Sequence, residues 1–410
     1  MSIEQDKAGL SFRLILMTII IGIVYFFSNF HRYSLGVISA SLIHEFNLDH
    51  IQLGLLGSGL FYAYGLMQIP SGILSDKLGP RFVITMSCIL TAAATLLFSS
   101  ASGSQGLYVS RMLTGIAVAF VYVPALAIIR DWFSEKVFGT MVGILVAVGY
   151  LGALSTSVPL HLAVSSIGWR TTFRIVGYIF IVLCFLSWLV IRSKTGQKQE
   201  MKQGLWESSK EALKRPAFWS ITLFFFTYSG IIFSFQGLWG VRFFETVLGR
   251  EEEKAALLMA ISLGCFVGSL LFGFLADRFG RFRVVIACGN LMTLLWILMI
   301  FFGFSYGGIL LYLLCFIFGV LAGGGIVTSF SIIRYFSSSN NAGFLTGING
   351  GSGYLGGAAF TQILGVFFAF SKTGDAASFR TVFLLYAIVC AVSTFLMMWL
   401  NRKLLKPSVS

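Results

Sequence analysis

Twelve apolar stretches follow one another along the chain, near residues 12–42, 51–75, 82–101, 107–132, 138–164, 171–192, 216–243, 255–277, 283–304, 308–335, 341–370 and 379–402. A helix needs about 20 such residues to cross the hydrocarbon of a bilayer. The runs are continuous rather than alternating, which predicts helices and not barrel strands. In lipid, each span must satisfy its own backbone hydrogen bonds, and a helix does so. The expectation is an all-α membrane protein with twelve transmembrane helices. Of the 410 residues, 57% are hydrophobic and only 11% charged. The net charge of +13 therefore reads as loop residues facing the cytoplasm, not as a nucleic-acid surface.

The spans fall into two copies of one unit. The hinge Gly72-Ile73-Leu74-Ser75-Asp76-Lys77-Leu78-Gly79-Pro80-Arg81 returns 201 residues later as Gly273-Phe274-Leu275-Ala276-Asp277-Arg278-Phe279-Gly280-Arg281. Ile128-Ile129-Arg130 returns as Ile332-Ile333-Arg334, and Gly149-Tyr150-Leu151-Gly152 as Gly353-Tyr354-Leu355-Gly356, both 204 residues on. Two segments at nearly one offset mark a parallel duplication. It predicts two six-helix bundles, residues 1–192 and 216–410, joined by the polar, Lys-rich linker 193–215.

Orientation follows from the basic residues. With both termini in the cytoplasm, 20 Lys and Arg fall on that side and 7 outside. This is the bias expected of a multi-pass protein of the cell inner (plasma) membrane. The first run is too long for a cleaved signal segment and reads as a retained helix. Residues 250–254 become an outer, solvated turn. The six cysteines all lie in apolar runs without ligand spacing, so neither metal, cofactor nor disulfide is expected. No catalytic grouping and no nucleotide-binding loop appear, and an enzyme is not expected.

The hinge copies fall at the cytoplasmic ends of the second and eighth spans. Asp76 could pair with Arg130 and Asp277 with Arg334, with Arg81 beside them, as pairs that hold helices together and break when they part. The alternative is a plain positive loop with a capping Asp; two copies at matching positions favour a gate. Gly72-x-Leu74-x-Asp76-Lys77-x-Gly79-Pro80-Arg81 resembles the signature loop of the major facilitator superfamily. Arg111-x-x-x-Gly115-x-Ala117-x-Ala119 with Pro124 is similar to its fourth-helix motif, and Gly168-Trp169-Arg170 is a further common feature. The resemblance implies the major facilitator fold around a central cavity, alternating access, and a monomer. The fifth span lacks the Gly-Pro pattern usual in drug–proton antiporters of that family.

The sixteen acidic residues all fall in tails, loops or helix ends, whereas Arg32 and Arg111 lie inside spans. A guanidinium within the membrane should face water, a polar cavity or an anion, or snorkel to the interface. Tyr25, Asn29 and Arg32 recur at i, i+4 and i+7 on one helix face, with His31 beside them. Arg32 is expected to hold a substrate carboxylate through its two-donor edge. The stretch Asn29 to Val37 resembles the first helix of organic-anion symporters of the superfamily. There the Arg follows an acid that helps proton coupling; here His31 stands in its place and becomes the coupling candidate.

Tyr122, Gln236 and Trp239 join the expected pocket, with Arg111 in it or in helix packing. Tyr62, Tyr64, Gln68, Tyr228, Asn349 and Tyr354 are further polar or aromatic candidates, set against simple core packing. The expected function is a secondary active transporter for a small organic anion, taken up with a proton. The alternatives are proton-coupled efflux of a siderophore or drug, and amino acid uptake. The partners expected are the small anionic substrate, the lipid bilayer and the proton.

Overall fold

The structure, a computed structural model, describes residues 2–192, 205–250, 253–302, 308–333, 335–336, 341–371 and 376–402. Among these there is no strand. The first half holds α1 (Ser2–Phe46), α2 (His50–Leu78), α3 (Pro80–Ser99), α4 (Ser104–Trp132), α5 (Glu135–Ser155), α6 (Val158–Ile167) and α7 (Trp169–Val190). Then come α8 (Leu205–Leu213), α9 (Pro216–Ser234) and α10 (Gly240–Arg242). The remainder is α11 (Lys254–Phe279), α12 (Arg281–Phe302), α13 (Ile309–Ile333), α14 (Ala342–Ser371) and α15 (Ala376–Leu400).

Ten of the described helices are long and apolar enough to cross a membrane. An eleventh span appears if Met141–Ser155 and Val158–Ile167, bent by 42°, count as one. The sequence predicts one span there; the chain breaks it just ahead of Pro159, at the start of α6. The twelfth expected span corresponds to α2, whose 29 residues are diluted by Gly, Tyr and Gln. Its glycines let α2 approach α14 closely, at Gly54, Gly57 and Gly65. Of the expected linker 193–215, residues 193–204 lie outside the described residues, and 205–213 form α8.

The surface is largely apolar, and several charged and amide side chains that lie within spans are buried inside. Phe185, Leu189, Phe274 and Phe301 are each more than 60% exposed, whereas Arg32 is 4%, Gln236 5% and Asn349 0% exposed. In water this would be an aggregating surface; in lipid it is the stable arrangement.

The hinge repeat has a backbone cause. Gly79 and Gly280 both sit at positive φ, 82° and 90°, where a Cβ would be strained. Each ends one helix, its N–H bonding back to the carbonyl four residues earlier, and the next helix starts at Pro80 or Arg281. The packing repeats as well. α2 packs on α4 as α11 does on α13; α3 on α4 and α7 as α12 does on α13 and α15; α1 on α5 as α9 does on α14. The halves meet most extensively between α2 and α14, and also where α5 touches α11.

Two departures from ideal helix shape the interior. In α4, Phe120 has ψ 25°, four residues before Pro124, whose ring excludes the carbonyl at that position. Beyond α9, the turns Phe235–Trp239 and Phe243–Val247 are π-helical and flank α10. Each wider turn rotates the side chains that follow. They also carry the helix past the point where the sequence suggests a loop. Glu245 is accordingly buried, bonded by Lys254 and paired with Arg242 at 3.1 Å. Arg250 holds Glu253 at 2.6 Å, and Tyr312 donates to Glu253. The described part of the expected solvated turn is a knot of ion pairs.

Candidate functional site

The stripe predicted on α1 exists, and its centre is Arg32. Arg32 Nη1 donates to Asn29 Oδ1 at 2.8 Å, and Asn29 Nδ2 donates to the Tyr25 carbonyl at 2.9 Å. Arg32 Nη2 donates to the Tyr64 hydroxyl of α2 and reaches Ser28 Oγ at 3.5 Å. Arg32 Nε is buried and has no partner. Among the described residues no carboxylate pairs with this guanidinium.

Aromatic rings take the place of a counter-charge. The Arg32 guanidinium carbon lies 4.4 Å from the Tyr64 ring centroid, 5.2 Å from Tyr354 and 5.9 Å from Tyr25. Such faces attract a cation most where water is excluded. Tyr25 stacks on Tyr122 at 5.4 Å. Tyr64 and Tyr354, one from each half, have centroids 4.2 Å apart. Tyr354 stacks on Phe233 at 4.9 Å, and Phe233 on Phe61 at 5.9 Å.

The repeat is not symmetric at this box. Gly149 meets Tyr25 and Gly152 meets Phe26 as Gly353 meets Phe225 and Gly356 meets Phe226, which sets Arg32 against Ile232 in the two copies, while Gly36 of α1 lies on Gly237. The two glycines touch, since a Cβ at Gly36 would lie 3.0 Å from the Gly237 carbonyl oxygen. The first half brings a guanidinium to Tyr354, and the second half brings the Phe233 ring to it. Tyr64 and Tyr354 belong to the wider set read from the sequence; Ser28, Phe61 and Phe233 do not.

Other expected residues point elsewhere. His31 is 2% exposed; its Nε2 lies 3.3 Å from Thr95 Oγ1, and its ring packs beside Phe30, Phe173 and Phe180. Adjacent on α1, His31 and Arg32 leave the helix on different sides. Arg111 Nη1 donates to the His31 carbonyl at 3.0 Å, so it holds α1 from behind the box. Gln236 donates to Ser262 Oγ at 3.0 Å, within the second half. Trp239 donates to the Thr361 carbonyl at 3.0 Å and packs on Phe368 and His50. It caps the seam at the end of α2 that carries His50.

At the opposite end of α2 lie the hinge residues. Arg81 donates to the Trp188 carbonyl at 3.1 and 2.5 Å, its guanidinium 4.2 Å from the Trp188 ring centroid. Arg130 pairs with its neighbour Asp131 at 3.1 Å, and Asp277 with Arg281 at 3.7 Å. The Asp76 side chain and the whole of Arg334 lie outside the described residues, so the two expected latch pairs do too. The Gly168-Trp169-Arg170 element has a clear role. Gly168 at φ 78° starts α7. Trp169 and Arg170 then both bond Glu45, and Arg170 also reaches the Ser99 and Ala101 carbonyls at 2.8 and 2.7 Å.

The comparisons with known proteins follow the same fold. The family model described as Major Facilitator Superfamily matches residues 21–361 and 246–409. A gentisate transporter of Corynebacterium glutamicum is 25% identical over 92% of this chain and 87% of its own length. The agnestins efflux protein of Paecilomyces divaricatus is 25% identical over 52% of this chain and 48% of its own. The chain thus spans about half the length of the efflux relatives it matches. An inward-facing, unoccupied structure of a bacterial homologue of the human lysosomal transporter Spinster superposes with a TM-score of 0.74 at 18% identity, covering 97% of this chain and 99% of that one. At that identity the likeness is one of fold. With most of its length matched by the family model, the chain belongs to the Major Facilitator Superfamily.

Proposed function

We propose that this chain is a secondary active carrier that moves a small organic anion across the membrane by alternating access, with the carboxylate held at Arg32. The observation that carries this reading is the Arg32 guanidinium itself. It is buried, has an unpartnered Nε, and is enclosed by rings from both halves. A guanidinium kept in such a place without a carboxylate suits a visiting anion. The flanking Tyr faces suit a planar acid, and the full-length relative named for gentisate supports an aromatic carboxylate as the first class to try.

Proton-coupled uptake at the inner membrane, with both termini in the cytoplasm and a single chain as the working unit, completes the reading. The 20-to-7 distribution of Lys and Arg supports that topology. A coupling role for His31 acts from behind the site, through its contact with Thr95 and the hold of Arg111 on its carbonyl. Asp76 and Asp277, with Arg81, Arg130 and Arg334, remain the proposed cytoplasmic gate. Efflux is the second reading, favoured by relatives named as efflux proteins.

Proteoliposomes test it. Radiolabelled benzoate, gentisate or succinate should accumulate when the outside is acidic. Arg32→Ala should abolish this while melting within a few degrees of the parent. Accumulation only with the interior acidic would favour efflux. Normal uptake by Arg32→Ala would remove the anion site.

A further inference from the structure

We propose that the Tyr64 hydroxyl occupies the place of a substrate oxygen, and that a carboxylate must displace it from Arg32 to bind. Tyr64 thereby selects the anion and ties its binding to the seam between the halves. This rests on the anion reading of Arg32.

The argument starts from the donors of the guanidinium. Nη1 is committed to Asn29, a residue of its own helix. The remaining side edge consists of Nε and Nη2, the pair a carboxylate engages with two parallel bonds. In the structure Nε has no partner, and Nη2 is held by the Tyr64 hydroxyl, with Ser28 Oγ further off at 3.5 Å. A phenol offers one neutral oxygen to an edge built for two charged ones. Nη2 carries two N–H groups, shared between Tyr64 and Ser28, so a carboxylate that takes Nε and one N–H of Nη2 displaces one of these hydroxyls, here assigned to Tyr64, and satisfies the orphaned Nε at the same time. An anion with a single acceptor centre, such as chloride, reaches Nε without that exchange.

Tyr64 cannot move alone. Its ring lies against Tyr354 of the second half, 4.2 Å between centroids. The next residue, Gly65, is pressed on α14: a Cβ there would lie 3.0 Å from the Gly351 carbonyl oxygen and 3.0 Å from Leu355 Cγ. Release of the hydroxyl therefore disturbs the Tyr64–Tyr354 pair, which bridges the halves beside the charge. Arg32, Tyr64 and Tyr354 form one clasp across the halves.

The test is binding of benzoate, gentisate and succinate, and separately of chloride, to purified full-length protein by isothermal titration. Tyr64→Phe removes the competing oxygen and keeps the ring. It should bind the carboxylates about tenfold more tightly, the worth of one hydrogen bond to a charged group, and leave chloride unchanged. Tyr64→Leu, a second variant without the hydroxyl, should shift affinity in the same direction. A purely structural Tyr64 would weaken or spare carboxylate binding in both variants, and that result overturns the proposal. Arg32→Ala separates the two readings. If it binds carboxylates like the parent, the anion site itself is wrong. If it loses them while Tyr64→Phe gains nothing, only the clasp is wrong.

Discussion

At the scale of single residues, the proposed anion site turns on the shape of one side chain as much as on its charge. Arg32→Lys keeps a cation at the centre of the box but replaces a planar edge by a point donor. Carboxylate affinity should fall at least about tenfold, the loss of one of two charged hydrogen bonds, with the melting temperature little changed. Titration of benzoate into the Lys variant checks this, and equal affinity would mean that charge alone is read. A second prediction concerns packing. A Cβ at Gly115 would lie 2.3 Å from the Leu60 carbonyl oxygen, where α4 meets α2. Gly115→Val should therefore cost about 3 kcal/mol or more and appear as a large drop in thermal stability in detergent. Arg32 was legible in the sequence because a charge inside an apolar run is rare. Its partner Tyr64 was one aromatic among many, and only the fold brings it to the guanidinium.

At the scale of elements, the two π turns after α9 change what the neighbouring acids are. Counting apolar residues ends the seventh span near residue 243 and leaves Glu245 in a loop. The wider turns continue the helix to Val247 and bury Glu245 between Arg242 and Lys254. No local composition signals a π turn, so the sequence reads as a loop where the helix continues. Glu245→Gln leaves buried cations under-compensated, and breaking such a pair costs about 3 kcal/mol. Thermal unfolding should show a clear loss, and an unchanged melting temperature would mean that solvent already screens these charges. The bend in α4 was more accessible, since Pro124 announces it. Gly79 and Gly280 were the most accessible of all, because two copies of one turn need the same backbone at the same place.

At the scale of the whole molecule, duplication was readable at once, and its consequence was not. Two similar halves predict similar packing, and the described helices repeat their neighbours as expected. What sequence similarity hides is where the copies differ. Arg32 of the first half and Phe233 of the second meet the same Tyr354, which makes the centre charged from one side only. The seam between α2 and α14 then becomes the element on which transport depends, and it can be locked. A Cβ built at Gly57 lies 2.9 Å from Thr361 Cγ2, close to the separation of a Cβ and the opposite sulfur in a disulfide. The pair Gly57→Cys and Thr361→Cys should cross-link under mild oxidation. Alternating access requires the halves to part at this end during each cycle, so the oxidised protein should stop transporting and recover with dithiothreitol. Either single variant should be insensitive to both reagents. Full transport by a protein proven to be cross-linked would mean that α2 and α14 move as one body here. The carrier would then have to open along other contacts between its halves, such as α1 with the Phe235–Trp239 turn or α5 with α11.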